Sequence, residues 1–427
     1  MKSNAEFLEL ESTSAWLSQF SPEQQMVLVN MLGAMRLVSA DEFIEDMRTM
    51  LLAQVYAGGG PVALYAEREV KMRTGRALAL FKQPAKPVRR ATGVGPQPIK
   101  PKLPWIPDVG SEGIVATLIT EIARANKGLV FSHPGPGLIR KHRIRRFIVV
   151  TDFVGSGTRV LRYLDAAWQV WSVRSWWSAR ATTGLRFAVA AYSATKYGQL
   201  AVEAHVSKPS ILMVTPCPVI ESKLSESIAK QVKEICIECD PIKSDEIASL
   251  GFLGTGALIA FAHGAPNNVP RILTEQSCAK RTPKYIPLFL KRTTALSRST
   301  FSAALSSNDK LRSALVELGQ RRLASSQVAM ELAVPQLRLL LTLSALTRPP
   351  RGIIPMAGRT GLTIIEVERA LAELRRLQWI DIRHRLTDQG QAQLRHSRRL
   401  GRQRPAVPPL NKVYYYPSSL RAPDGKF

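Results

Sequence analysis

Cysteine is nearly missing from this chain. Four occur in 427 residues, Cys217, Cys236, Cys239 and Cys278, too few and too irregularly spaced for a disulfide framework or a two-pair zinc site. Cys236 and Cys239 form a lone C-x-x-C on a helical stretch with no other redox signature. A reducing compartment is the expectation. Long apolar runs are lacking as well: no stretch approaches a membrane span, and the N-terminus is acidic where a signal peptide would be basic and then apolar. The chain is therefore expected to be cytoplasmic, with no membrane partner. The six histidines show neither metal-ligand spacing nor a nucleophile elbow. No G-x-x-x-x-G-K-[ST] occurs, which removes the P-loop class.

Acidic residues thin out after the beginning. Residues 1–58 hold three Lys/Arg against eight Asp/Glu, so the rest of a chain with a formal charge of +26 carries close to +31 by difference. Residues 321–427 alone hold 19 basic against 7 acidic residues. That balance points to nucleic acid or another polyanion, although a basic background throughout a proteome gives a weaker version of it. With 45% hydrophobic residues over 427 positions, the chain can build two or three cores, and disordered and fibrous classes are excluded.

What is present is organised around residues 147–160. The apolar run 147–150 reads as a buried strand. It ends in Thr151-Asp152 and passes through Gly155-Ser156-Gly157-Thr158 into a helical pattern. In an open parallel sheet such a turn lies at the carboxyl end of a strand, where ligands bind. Glycine lets the backbone approach a ligand, and the free N–H groups of a first helical turn attract an anion. A plain strand-to-helix turn, with Ser or Thr as a cap, fits the same residues.

Around it, residues 5–56 read as a helical unit, with Ser21-Pro22-Glu23 and Ser39-Ala40-Asp41-Glu42 as helix starts. Residues 82–107 are dense in Pro, Lys and Arg and read as a linker or surface arm. A helix is expected over 111–125, a loop over 132–137 and a helix over 160–177 with Trp168, Trp171, Trp176 and Trp177 as a packing stripe. Strands follow at 185–191 and 210–214, with a helix over 195–204 between them. Strands alternating with helices imply βαβ units and a mainly parallel sheet. Tyr192 and Lys196 imitate the Tyr-x-x-x-Lys pair of short-chain dehydrogenases. No G-x-x-x-G-x-G turn accompanies them, so they are read as coincidence. In the polar stretch 262–270, Asn267 and Asn268 serve either a ligand or a turn. The boundaries expected are a helical unit 1–81, a linker 82–110, an α/β domain 111–300, a winged helix 301–400 and a Pro-rich tail 401–427.

Thr151-Asp152-Phe153-Val154-Gly155-Ser156-Gly157-Thr158 after a hydrophobic strand resembles the ribose-phosphate loop of type I phosphoribosyltransferases. With Ala265-Pro266-Asn267-Asn268 and the helical beginning, residues 5–295 look like the phosphoribosyltransferase-like effectors of bacterial conflict and antiphage systems, some linked to retrons. The resemblance implies an α/β fold with a type I phosphoribosyltransferase-like parallel sheet. It assigns Asp152 to ribose contact and catalysis, and Thr151 and Gly155 to Thr158 to the ligand and its phosphate. Asn267 and Asn268 are further site residues, and Mg²⁺ is the implied cofactor. A nucleotide or phosphoribosyl compound is the implied ligand, and a reverse transcriptase or a retron DNA–RNA complex an implied partner. One departure matters: the family has two adjacent acids where this chain has Thr151 before Asp152, which weakens ribose and metal binding and leaves catalysis open.

Near the C-terminus, Gly361-Leu-Thr363-Ile-Ile-Glu366 forms a capping box with Thr363 as cap, opening a helix to about Leu377. A strand, a turn and a short helix follow from Trp379. This order resembles the winged helix of regulators, whose capped helix enters the major groove. Arg369, Arg375, Arg376, Arg383 and Arg385 are then the expected DNA contacts, and protein docking is the alternative use. Two functions stand side by side: an antiphage effector, and a transcription regulator that resembles bacterial purine repressors and senses phosphoribosyl pyrophosphate without catalysis.

Overall fold

The computed structural model describes residues 5–57, 60–84, 90–96, 111–182, 184–243, 245–276, 285–289 and 311–400, apart from 313, 317, 325–326, 361 and 363. Thr363, the tail 401–427 with Tyr414–Tyr416, Cys278 and most of the Pro-rich segment 82–110 lie outside these residues. Two compact units form: Met1–Ser306 with Gly352–Arg369, and Ser307–Arg351 with Ala370–Phe427.

In the first unit, helices α1 (Ala5–Glu9), α2 (Glu11–Leu17) and α3 (Pro22–Ala34) lead to strand β1 (Arg36–Val38), helix α4 (Ala40–Tyr56) and strand β2 (Val62–Ala66). Ser21 caps α3 in a complete capping box with Gln24, and the Ser39 hydroxyl accepts the Glu42 N–H to open α4. A small hairpin, β3 (Met72–Arg73) with β4 (Arg76–Ala77), precedes α5 (Ser111–Ala125), β5 (Val130–Ser132), α6 (Pro136–Lys141) and β6 (Arg146–Val154). Then come α7 (Thr158–Trp168), α8 (Trp171–Ser178), β7 (Arg186–Ala194), α9 (Lys196–Glu203) and β8 (Ser210–Pro216). Short helices α10 (Ile220–Lys223) and α12 (Glu246–Ser249) flank the longer α11 (Glu226–Glu238), and β9 (Ile259–Phe261) and α13 (Arg271–Thr274) follow.

Five strands pair in parallel in the order β5-β2-β6-β7-β8. Their near-continuous apolar sequences match a sheet buried on both faces, and two cores lie against it. Val62, Leu64, Ile148, Val150 and Ala190 face α4, α5 and α11. Ala63, Tyr65, Phe147, Val149 and Val189 face α7 and α8, with Tyr65 and Phe147 stacked at 4.1 Å. The chain therefore forms the expected α/β class with a parallel sheet.

Several local expectations change. Residues 1–81, read as a helical unit, contain β2 in the middle of the sheet and β1, which pairs with β9. The N-terminal helices share the sheet's core: the Trp16 indole N–H donates to the Ile272 carbonyl at 3.1 Å and to the Tyr285 hydroxyl at 3.0 Å. The described part of 82–110 is not a free arm. Lys82 pairs with Thr92 and the Ala91 N–H donates to the Ser172 hydroxyl at 2.8 Å. The loop expected over 132–137 shortens to 133–135, with Ser132 ending β5 and Pro136 opening α6, and 160–177 breaks at Gln169-Val170 into two helices. Tyr192 is buried, its hydroxyl 2.9 Å from Arg36 Nη2 and 3.1 Å from Asp46 Oδ2, in keeping with a structural tyrosine. No described helix is long and apolar enough to cross a membrane.

Candidate functional site

The strand order reverses between β2 and β6, since β5 lies beyond β2 on one side while β7 and β8 follow β6 on the other. In open α/β sheets the ligand crevice opens at the carboxyl ends of the strands at such a switch point. β2 ends at Ala66, with Glu67 next in the chain, and β6 leads into the glycine turn.

β6 extends further than its apolar run suggests, to Val154, so Thr151 and Asp152 are strand residues and the turn begins at Gly155. Thr151 is buried and its hydroxyl donates to Asp152 Oδ1 at 3.3 Å. Gly157 is left-handed, with φ 77°, and turns the chain into α7. The Gly155 carbonyl accepts the Thr195 hydroxyl at 2.6 Å, and Thr195 also caps α9 through the Gly198 N–H at 2.9 Å. A Cβ at Gly198 would lie 2.2 Å from the Gly155 carbonyl oxygen, so α9 approaches this turn as closely as backbone permits. The Ser156 hydroxyl meets that of Thr158 at 2.8 Å and accepts the Thr158 N–H at 3.2 Å. The Ser156 and Gly157 N–H groups find no partner among the described residues. Those of Arg159 and Val160 belong to a first helical turn, which has no acceptor of its own. Donors of this kind at a helix N-terminus suit a phosphate.

Asp152 is occupied. Its Oδ1 accepts the Phe153 N–H at 2.8 Å in addition to Thr151, and its Oδ2 lies 3.1 Å from His263 Nε2. Because a carboxylate only accepts, His263 donates through Nε2. The His263 ring stacks on Phe261 at 5.0 Å and meets Phe43 edge-on at 5.0 Å. Burial works to raise the Asp152 carboxyl, but His263, Ser111 at the start of α5 and the Phe153 N–H outweigh it and hold it below its ordinary value.

Beside it stands a second cluster that sequence reading did not find. Arg159, the second residue of α7, places Nε 3.1 Å from Glu67 Oε1, while its Nη2 pairs with Glu112 on α5. The Glu67 side chain is 5% exposed and that of Arg159 51%. Burial, partly offset by Arg159 and reinforced by Glu112 and Asp152, pushes Glu67 up to about 7. Strongly shifted groups in a cleft mark functional candidates.

The two asparagines separate. Asn268 is buried against the turn, its Nδ2 donating to the Phe252 carbonyl at 3.3 Å and the Thr255 hydroxyl at 3.0 Å. Asn267 is exposed and lines a cavity of about 640 Å³ with Phe252, Leu253, Pro266 and Arg271, which residues 155–158 do not line. Of the residues singled out by sequence, Thr151 to Thr158 and Asn268 come together, and Asn267 does not join them. His263 falls inside the polar stretch 262–270, so a signal for it existed. Glu67 follows an apolar run that resembles the one before Asp152, but a run of five residues next to a long helix carries no strand signal of its own.

No group of three or more His, Cys, Asp or Glu side chains that could hold a metal ion occurs among the described residues.

The C-terminal arginines lie on the helix Ile364–Arg376 and the turn after it. Ile380 and Leu386 bridge antiparallel, and Asp381 Oδ1 accepts the N–H groups of Arg383 at 2.8 Å and Arg385 at 2.7 Å, tying a tight wing. Arg369, Arg383 and Arg385 are exposed. Arg376 is bound twice by Glu373, at 2.8 and 2.7 Å, and Arg375 pairs with the His384 ring. A cavity of about 630 Å³ adds arginines that sequence reading passed over: Arg351, Arg395 and Arg398 line it together with Arg385.

Comparison with known proteins finds two family models. PRTase-CE matches residues 13–291, and a model described as wHTH-PRTase associated matches residues 340–422. No curated protein and no solved structure matches the chain.

Proposed function

We propose that this chain, which belongs to the PRTase-CE family, binds a phosphorylated ribose or nucleotide at the carboxyl end of its sheet and acts as an antiphage effector. The phosphoribosyltransferase-like domain is joined to an associated winged helix, and in this reading the winged helix holds DNA or a protein partner, such as a reverse transcriptase or a retron DNA–RNA complex. One observation carries the binding half. The turn Gly155–Thr158 presents unpartnered N–H groups at the switch point and is braced from behind by Thr195 and Asn268. Bracing fixes the donors before a ligand arrives, so ordering them costs little on binding. Mg²⁺ enters this reading only as an ion carried on the ligand's phosphates, as is usual for that cation.

Calorimetric titration with ribose 5-phosphate and phosphoribosyl pyrophosphate tests it. The wild-type chain binds, and Ser156→Asp, which sets a carboxylate against the phosphate, loses at least about tenfold in affinity at an unchanged melting temperature. Equal affinity in the two proteins removes the reading.

A second reading has its own support. With Thr151 in place of an acid and both Asp152 oxygens engaged by protein donors, ligand sensing without catalysis fits a winged-helix regulator. It predicts operator binding that depends on sequence and changes with ligand. DNA binding that ignores sequence and falls steeply with salt counts against it.

A further inference from the structure

The missing acid at position 151 has a neighbour. β2 and β6 run in parallel register with Ala66 beside Val150, and the Glu67 N–H donates to the Val150 carbonyl at 2.8 Å. One residue further, the same register sets Glu67 beside Thr151. Residues paired in register share a face. Tyr65 and Val149 belong to the core under α7, so Glu67 and Thr151 continue that face toward the glycine turn from which α7 starts.

Availability separates the two carboxylates at the crevice. Asp152 receives the Phe153 N–H and the Thr151 hydroxyl on one oxygen and His263 on the other. Glu67 receives Arg159 on Oε1, and Oε2 has no partner among the described residues. An anchor for Arg159 does not by itself explain so buried an acid, because Glu112, 22% exposed, already holds the same guanidinium. Burying a carboxyl is expensive unless it is fully paired, and Glu67 keeps one acceptor open beside the turn.

We propose that Glu67 is the carboxylate that accepts the ribose hydroxyls of the bound ligand, from the neighbouring strand, in the place that threonine occupies at position 151. This rests on the ribose-phosphate reading of the turn. Arg159 lies between the two contacts, next to the phosphate donors and already bound to Glu67. The crevice would thus discriminate by hydroxyl as well as by phosphate: a ribose phosphate is held at both ends, a 2-deoxyribose phosphate less well, and inorganic phosphate at the turn only.

The test titrates the full chain with ribose 5-phosphate, 2-deoxyribose 5-phosphate and inorganic phosphate. The wild type is expected to prefer ribose 5-phosphate over its deoxy form by about ten- to a hundredfold, the range for a hydrogen bond to a charged group. Glu67→Gln brings that ratio to within about threefold of unity while inorganic phosphate still binds. Adding Thr151→Asp to Glu67→Gln restores part of the preference. If Glu67→Gln retains the wild-type ratio while phosphate still binds, Glu67 is not the hydroxyl acceptor, although the turn remains a phosphate site. If neither ribose 5-phosphate nor inorganic phosphate binds the wild type, the reading of the turn fails and the inference with it. Should Glu67→Gln not fold, Glu67→Asp withdraws the carboxylate by one methylene and is expected to lower the ratio. An unchanged ratio there overturns the assignment.

Discussion

Asn268 fills the space that a side chain on residue 155 would need: a Cβ built on Gly155 would lie 2.0 Å from Asn268 Oδ1. Asn268 sits 113 positions away in sequence, yet its amide serves as the back wall of the glycine turn. Glycine is required at 155 for room, whereas at 157 it is required for a left-handed φ.

Gly155→Ala therefore destabilises the protein by about 1–3 kcal/mol, the range for an overpacked site. Asn268→Ala removes the obstructing amide together with its bonds to Phe252 and Thr255. The double variant is expected to be more stable than the sum of the two single losses. Denaturant midpoints of the four proteins read the coupling, and simple additivity would show that the two residues do not meet.

His263→Phe keeps the ring against Phe261 and Phe43 but deletes the donor to Asp152. At pH 7 a loss of about 1–3 kcal/mol is expected. The folded Asp152 lies below its ordinary value, so its contribution is present above that value and is lost as pH falls through the folded one. The gap between the two proteins should accordingly narrow on acidification. Melting curves that stay equally far apart down to strongly acid pH would assign the loss to packing.

His133 is buried, and its Nε2 accepts the Ala66 N–H at 2.9 Å, on the strand that carries Glu67. Burial, with Arg68 nearby, lowers it from 6.5 to about 4. The folded state thus prefers neutral His133, and its share of stability, about 3 kcal/mol, is present above pH 6.5 and lost between 6.5 and 4. His133→Asn, compatible with the φ of 49° at this residue, should flatten melting temperature against pH in that window. A curve parallel to the wild type would exclude it.

Glu67 shifts the other way. Its folded value of about 7 stands above the ordinary 4.5, so the folded state holds the proton more tightly and stability declines as pH rises from 4.5 to 7. Glu67→Gln is expected to match the wild type near pH 4.5 and to be more stable by about 2–3 kcal/mol above pH 8. A Gln variant less stable at high pH would mean that the Arg159 pair outweighs the burial.

Arg369, Arg383 and Arg385 are exposed, while Glu373 holds Arg376 on its own helix. If the winged helix grips DNA through phosphates, each of the first three replaced by Ala reduces the slope of log affinity against log salt by about 0.9. Arg376→Ala should change it less. Anisotropy titrations over a range of salt measure both, and equal effects at all four positions would remove the distinction.

Much of this molecule was legible along the chain. The helix Ser111–Ala125 and the strand, turn and helix of residues 146–168 follow from apolar runs, spacing and two glycines, all of which act within a few residues. The glycine turn was legible for the same reason, because a left-handed φ at Gly157 and the free N–H groups of a helix start are local properties. Strands β2 and β5 were not, since runs of five and three residues carry no period and are defined by the strands beside them. The partners of Asp152 were not legible either, because its sequence neighbours do not reveal His263 and Ser111. Glu67 was passed over because its place beside Thr151 is a matter of strand register, which no local pattern contains. The sequence determined that a strand passes through a glycine turn into a helix, through backbone conformation. Tertiary structure alone decided which carboxylates stand beside that turn and what holds each of them, because pairing and burial join residues that the chain keeps far apart.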